Sequence, residues 1–143
     1  MILCDVNILV YAHRADLPEH NKCKKWFLKM LNSKKNFAVS DYLFSSFLRI
    51  ITHPKIFQKT SPFDKGVEFI NLLKTHPNAV QIIPEDKQWE IFLELCEKTR
   101  AGGNLIADAY IAALALASNC ALATADKDFK RFSDLKIINP LDA

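Results

Sequence analysis

The sequence predicts an α/β protein in which a central, mostly parallel sheet of about five short strands is covered by helices on both faces. Two observations lead to this prediction. Short apolar runs alternate with helical stretches along almost the whole chain, and the first run passes into a helix with no room for a hairpin turn. In addition, no internal repeat, low-complexity tract or linker divides the sequence, so residues 1–143 are expected to form a single domain.

The expected strands are short apolar runs bounded by polar or turn-forming residues. In chain order they cover residues 1–4, 37–39, 79–83, 121–125 and 135–138. Between them, apolar side chains recur three and four positions apart, which is the spacing of an amphipathic helix. The expected helices cover residues 7–12, 18–31, 41–51, 63–73, 85–100 and 104–117.

Local signals mark the ends of two of these helices. Ser40 or Asp41 can cap the third helix, and Pro54 ends it. The glycine pair at positions 102 and 103 breaks the chain, after which Asn104 can cap the alanine-rich last helix. Each of these helices directly follows or precedes an expected strand, as a layered α/β fold requires.

Composition restricts the class of protein. Half of the residues are hydrophobic and 24% are charged, which is typical of a globular domain. The four cysteines are isolated and indicate neither a zinc site nor a disulfide framework. Asp5 comes too early for a signal peptide, and the apolar stretch 109–117 is too short to span a membrane. We therefore expect a cytoplasmic protein without a membrane partner, while a net charge of +3 is too small to identify a ligand.

Three aspartates follow the expected strands or begin a helix at the same edge of the sheet. Asp5 directly follows the first strand, Asp126 follows the fourth, and Asp108 lies near the start of the last helix. In an open parallel sheet, ligands bind beyond the carboxyl ends of the strands. The fold can therefore gather three carboxylates that are far apart in sequence.

Carboxylates gathered in this way repel one another unless a cation neutralises them. Hard oxygen ligands suit Mg²⁺ or Mn²⁺, and one or two such ions can activate water for hydrolysis of a phosphodiester bond. The sequence thus indicates a metal-dependent enzyme that hydrolyses phosphodiester bonds, with Asp5, Asp108 and Asp126 as catalytic and metal-binding residues. Taken singly, each aspartate is equally compatible with a helix cap or a turn.

Four fragments carry a resemblance to a known family. They are the segments DVNILVY from Asp5, FLRIITHP from Phe47, NLIADA from Asn104 and ATADKDF from Ala123. In this order and spacing they resemble the PIN domain family, and within it the VapC-like toxin ribonucleases of toxin–antitoxin pairs. The resemblance implies a three-layer α/β/α fold, Mg²⁺- or Mn²⁺-dependent endoribonuclease activity on an RNA such as tRNA, a cognate antitoxin and a homodimer.

The same resemblance assigns roles to individual residues. Asp5, Asp108 and Asp126 match three acids of the family motif, and Asp128 is a neighbouring acid that can bind the metal directly or through water. Supporting positions around these acids are Asn7, Thr124, Ser46 and Asn104. Asn7 could instead cap a helix, and Thr124 could be an ordinary strand residue.

One position departs from the family pattern. The family usually has a glutamate in the third helix, where this chain has Ser46. Asp41 cannot replace it, because five helical positions turn it about 140° away, and it is expected to cap the helix. A site with fewer carboxylates should hold its cation more weakly.

Several basic residues are candidates for binding the RNA backbone. Arg49 lies one turn after Ser46 and could contact phosphate, although a salt bridge is an equal alternative. Lys127, Lys130 and Arg131 cluster beside Asp126 and could do the same, or could be exposed loop charges.

Two other functions remain as alternatives. Without the glutamate, the domain could be a catalytically degenerate PIN-like module that binds RNA or protein. A phosphatase of the haloacid-dehalogenase type would use Asp5 as a covalent nucleophile. That chemistry requires a second acid two residues later, where this chain has Asn7, so it is disfavoured.

Overall fold

A computed structural model describes residues 1–142 and contains one five-stranded sheet. The strand order is β3-β2-β1-β4-β5, and every neighbouring pair is parallel. Six α-helices flank the sheet within the described residues. The predicted fold class, a parallel sheet between two helical layers, is therefore confirmed.

The helices and strands follow the alternation expected from the sequence. The strands are β1 (Ile2–Cys4), β2 (Phe37–Val39), β3 (Ala79–Gln81), β4 (Ala121–Ala123) and β5 (Ile137–Ile138). The helices are α1 (Val6–His13), α2 (His20–Leu31), α3 (Asp41–Ile51), α4 (Phe63–Lys74), α5 (Asp86–Thr99) and α6 (Asn104–Ala117). Short 3₁₀ helices cover Lys127–Arg131 and Pro140–Asp142.

Alternating side chains divide the core into two clusters, one on each face of the sheet. Leu3 of β1 and Leu122 of β4 face α5 and α6, whereas the next residues, Cys4 and Ala123, face α1 to α4. This is the two-residue period of a strand that is buried on both sides. The first turn of α3 also reaches the α6 layer, because Leu43 belongs to the cluster on that face.

Most strands are shorter than the sequence suggested. The third strand ends at Gln81 rather than at residue 83, where Ile83 is exposed, and the fourth ends at Ala123. The fifth strand starts at Ile137, two residues later than expected. Apolar runs overestimate strand length because apolar residues also continue into the loops that cover the sheet.

One predicted helix cap is wrong, and the structure decides between the two candidates for another. The N-cap of α6 is Gly103, with a φ of 56°, and Asn104 is the first helical residue. Glycine adopts a positive φ without a steric penalty, which lets the chain turn into the helix at this residue. Since glycine has no side chain, the N-cap of α6 makes no side-chain hydrogen bond. For α3 the structure selects Ser40, one of the two predicted candidates, as the N-cap. Asp41 is the first helical residue, and its carboxylate pairs with Lys74 of α4 at 2.7 Å.

Phe47 joins α3 to its neighbours on one face of the sheet. Its ring is fully buried and lies 5.4 Å from the ring of His13 and 5.2 Å from the ring of Phe69. Nearby, a methyl group on Gly66 would come within 2.6 Å of Ile51, so α4 approaches α3 closely. These contacts fix the position of α3 relative to α1 and α4.

Among residues 1–142, no helix is both long enough and apolar enough to cross a bilayer.

Phe47→Ala should lower the free energy of unfolding by about 3–5 kcal/mol, because it leaves a cavity between three helices. Phe63→Ala makes the same change at the start of α4, where the side chain is 62% exposed, and should cost less than about 0.5 kcal/mol. Chemical denaturation of both variants measures the difference. Equal losses would contradict the packing of α3 described above.

Candidate active site

The site lies at the carboxyl edge of the sheet between β1 and β4. The chain adds β2 and β3 on one side of β1 and then returns to place β4 on the other side. In such a sheet the loops after β1 and β4 run in opposite directions and leave a crevice, where parallel α/β proteins bind ligands. Asp5 follows β1 and Asp126 follows β4 at this point.

Asp5 is held by hydrogen bonds to both of its carboxylate oxygens. It is only 3% exposed and is the N-cap of α1, where its Oδ1 accepts a bond from the Val6 amide at 2.8 Å. Its Oδ2 accepts a bond from the Thr124 hydroxyl at 2.8 Å. Two bonds leave lone pairs on the carboxylate free for further contacts.

Thr124 connects the ends of β1 and β4 through its hydroxyl group. The hydroxyl donates to Asp5 and accepts from Asn7 Nδ2 at 3.3 Å and from the Asp126 amide at 3.0 Å. A hydroxyl has one proton and two lone pairs, so these three bonds use its full capacity. Asn7 Oδ1 in turn accepts from the Ala125 amide at 3.4 Å. Asn7 therefore does not cap α1, a role that Asp5 fills.

Asp108, Asp126 and Asp128 form the tightest acidic group. One carboxylate oxygen of each lies within 4.8 Å of the others, and within residues 1–142 no other three potential metal ligands come this close. Asp126 is the N-cap of the 3₁₀ helix and accepts a bond from the Asp128 amide at 2.9 Å. Asp108 reaches the group from the second turn of α6, which begins at Asn104.

The carboxylates influence one another electrostatically. Burial, together with the charges of Asp126, Asp5 and Asp128, raises the pKa of Asp108 to about 6. Burial also raises the pKa of Asp5, and the charge of Asp126 adds to this effect. Hydrogen bonds from Thr124 and Val6 act in the opposite direction because they stabilise the charged form. The charges of Asp5, Asp126 and Asp128 thus all act on Asp108.

The spacing of the acidic group suits a divalent cation. In an octahedral Mg²⁺ site neighbouring oxygens are about 3.0 Å apart and opposite oxygens about 4.2 Å apart, since each lies about 2.1 Å from the ion. The three aspartate oxygens lie within 4.8 Å of one another, so small side-chain shifts would let them share one ion, and the side chain of Asp128 is exposed and can adjust. An all-oxygen set of this kind matches Mg²⁺ or Mn²⁺ rather than a softer metal.

The remaining predicted residues differ in their burial and in the element to which they belong. Arg49, Lys127, Lys130 and Arg131 are exposed, and the last three belong to the 3₁₀ helix that Asp126 caps. Ser46 is half-buried on α3, and Asn104 is exposed at the start of α6. Within residues 1–142, neither Ser46 nor Asn104 forms a side-chain hydrogen bond to an aspartate of the site, so they lack the contacts that hold Asn7 and Thr124 in place.

Sequence reasoning missed two contributors to the site. The Val6 amide binds Asp5, but a backbone group has no signature in the sequence. Tyr42, in the first turn of α3, lies against Tyr110 of α6, with ring centroids 4.8 Å apart. The amphipathic pattern of α3 does not predict how far Tyr42 lies from Asp108. That distance depends on the packing of α3 against α6.

Comparisons with known proteins agree with this geometry. The family model described as "PIN domain" matches residues 2–135. The chain is 34% identical to Ribonuclease VapC31 of Mycobacterium tuberculosis, over 98% of this chain and 99% of that protein. It is 37% identical to Ribonuclease VapC43 of the same species, over 99% of this chain and 97% of that protein.

A solved structure shares the fold at lower sequence identity. The crystal structure of VapBC2 from Rickettsia felis, bound to a DNA fragment from the promoter, contains a chain that matches with a TM-score of 0.69. The two chains are 20% identical, and the match covers 97% of this chain and 98% of that one. Since the family model and the full-length relatives agree, this chain belongs to the PIN domain family.

Proposed function

We propose that the protein is a VapC-type toxin, an endoribonuclease that hydrolyses phosphodiester bonds of RNA with the help of Mg²⁺ or Mn²⁺. The observation that carries the proposal is the gathering of Asp108, Asp126 and Asp128 within 4.8 Å, beside the buried Asp5. The relatives that match over their full length are named ribonucleases. An acidic group that raises the pKa of one of its own members is the arrangement that a cation stabilises.

In this proposal Asp108, Asp126 and Asp128 hold the cation, and Asp5 adds an oxygen from the buried side. A bound Mg²⁺ or Mn²⁺ lowers the pKa of its water and neutralises charge on the scissile phosphate. Thr124 and Asn7 orient Asp5, as residues behind a metal ligand commonly do. Lys127, Lys130 and Arg131 lie beside Asp126 and attract the RNA backbone to the acidic edge.

Asp128 gives a physical reason why activity can persist without the family's usual glutamate. Ser46 offers no charge in the third helix, but Asp128 supplies the third carboxylate of the acidic group. Three carboxylates and the oxygens of the substrate suffice for a cation that keeps several waters. This favours the enzyme over the degenerate binding module, which needs no preserved acidic group.

The partners follow from the proteins to which the chain is similar. Solved structures with the same fold are titled as VapBC complexes, from Rickettsia felis and from nontypeable Haemophilus influenzae. We therefore infer a cognate antitoxin for this chain, and we propose a homodimer because the family resemblance implies one. The four cysteines within the described residues are free thiols, as a reducing cytoplasm would keep them.

Asp108→Asn should lower the rate of RNA cleavage in Mg²⁺ or Mn²⁺ by at least about 100-fold, because the loss of a supporting residue alone commonly costs 10–100-fold. Asp134→Asn is the matched control, since Asp134 is exposed near Asn119 and Ala121 at the opposite edge of the sheet. Cleavage of total RNA, read by sequencing of the new ends, measures both. Wild-type rates in Asp108→Asn would sink the proposed site.

Mn²⁺ should bind more tightly as the pH rises from 5 to 7. Asp108, with a pKa of about 6, is mostly protonated at pH 5 and must lose its proton before it binds the cation. One displaced proton changes the affinity by about tenfold per pH unit below 6. Isothermal calorimetry of the wild type and of Asp5→Asn tests this, and the variant should bind more weakly. A wild type that binds no Mn²⁺ at any pH would support the degenerate module instead.

Thr124→Val should reduce cleavage by about 10–100-fold and lower the free energy of unfolding by about 1–3 kcal/mol. Valine has a similar shape but leaves Asp5, Asn7 and the Asp126 amide without their shared partner. Thr124→Ser keeps the hydroxyl and should retain most of the activity. Cleavage kinetics and denaturation of both variants test this, and equal behaviour of the two would show that the hydroxyl has no such role.

A further inference from the structure

Two tyrosines form an exposed aromatic surface next to the acidic group. Tyr42 of α3 and Tyr110 of α6 have ring centroids 4.8 Å apart with planes tilted by 47°. Tyr42 is 40% exposed, so packing against Tyr110 leaves much of its ring open to solvent.

The position of Tyr42 follows from the topology. It is the second residue of α3, which begins one residue after β2 ends, and β2 lies beside β1 in the sheet. Since parallel strands end at a common edge, Tyr42 lies at the same edge as Asp5. The charge of Asp108 is near enough to raise the pKa of the Tyr42 phenol, so Tyr42 borders the acidic group. Tyr110, two residues beyond Asp108, faces a different side of α6 and supports the Tyr42 ring from there.

The tyrosine pair rests on a rigid support. Tyr110 packs edge-on against the buried Phe92 of α5, with ring centroids 5.6 Å apart. The backbone carbonyl of Tyr110 also accepts a bond from the buried side chain of Gln88 at 3.3 Å. A surface that is fixed before a ligand arrives loses little entropy on binding.

Charges around Tyr42 suit a nucleotide. Burial and Tyr110 raise the pKa of the Tyr42 phenol, whereas the charge of Arg49 lowers it and that of Asp108 raises it. Both charged groups are therefore near enough to act on the ring. Arg49 is seven residues after Tyr42, which places it on the same side of α3, about 10 Å further along the helix. A cation and an aromatic ring on one face can bind phosphate and base respectively.

We propose that Tyr42, supported by Tyr110, is a base-binding subsite on which one unpaired RNA base stacks beside the acidic group. This inference rests on the proposed ribonuclease function and adds to it a residue that positions the RNA strand relative to the acidic group. Stacking requires an accessible base face, which a continuous duplex does not offer. Every base has such a face, so the subsite positions the strand and discriminates weakly between bases.

The test compares Tyr42→Ala with two matched variants. Tyr42→Phe keeps the stacking ring and removes only the hydroxyl, and Phe63→Ala removes an exposed aromatic ring from α4. Tyr42→Ala should raise the KM for a single-stranded RNA by about 5- to 100-fold and broaden the set of cleavage positions. Tyr42→Phe and Phe63→Ala should behave like the wild type. Unchanged KM and cleavage positions in Tyr42→Ala, with an active wild type, would overturn the inference and leave the ribonuclease function intact.

A binding experiment separates this inference from the activity. Fluorescence anisotropy in EDTA follows a labelled RNA oligonucleotide, single-stranded or annealed to its complement, on each folded variant. Weaker binding of only the single strand by Tyr42→Ala supports the subsite, even if the wild type does not cleave RNA. Equal affinity of Tyr42→Ala and the wild type for the single strand refutes it.

Discussion

The parallel pairing of β1 with β4 is the constraint on which the site depends. This pairing sets Leu3 beside Leu122 and Cys4 beside Ala123, so that both strands end at the same level. Asp5 and Thr124, which follow directly, are thereby brought within hydrogen-bonding distance. A shift of one residue would move these side chains to the opposite faces of the sheet and separate them. The alternating core on the two faces fixes the register against such a shift.

The packing of the site disfavours the ionised forms of Asp5 and Asp108. Asp5 is almost fully buried, and its pKa is raised even though the Thr124 hydroxyl and the Val6 amide stabilise its charged form. Asp108 is less buried, and the neighbouring acids add to its raised pKa. Carboxylates gathered in this way cost the folded protein stability, since their charges repel one another and burial disfavours their ionised form. Titratable groups perturbed in this way are common at functional sites.

Helix α3 links the two layers of the fold to the same site. Phe47 packs among the helices on one face of the sheet, whereas Leu43 belongs to the cluster on the other face. The first turn of α3 consequently reaches α6 and sets Tyr42 against Tyr110. If the proposed subsite is correct, the packing of this helix controls where the substrate lies relative to the acids. Ser46, which stands where the family resemblance led us to expect a glutamate, lies on the same helix.

The sequence by itself determined the fold class, the order of the elements and the acids that end at one sheet edge, because apolar periodicity and strand-to-helix transitions are local properties. It also identified membership of the PIN family from fragments such as the one around Asp108. Tertiary structure decided that Asp128, which the sequence offered as a neighbouring acid, packs with Asp108 and Asp126, that Gly103 rather than Asn104 is the N-cap of α6, and that Tyr42 borders the site. These features depend on the docking of distant segments and on backbone geometry, which local sequence patterns do not encode.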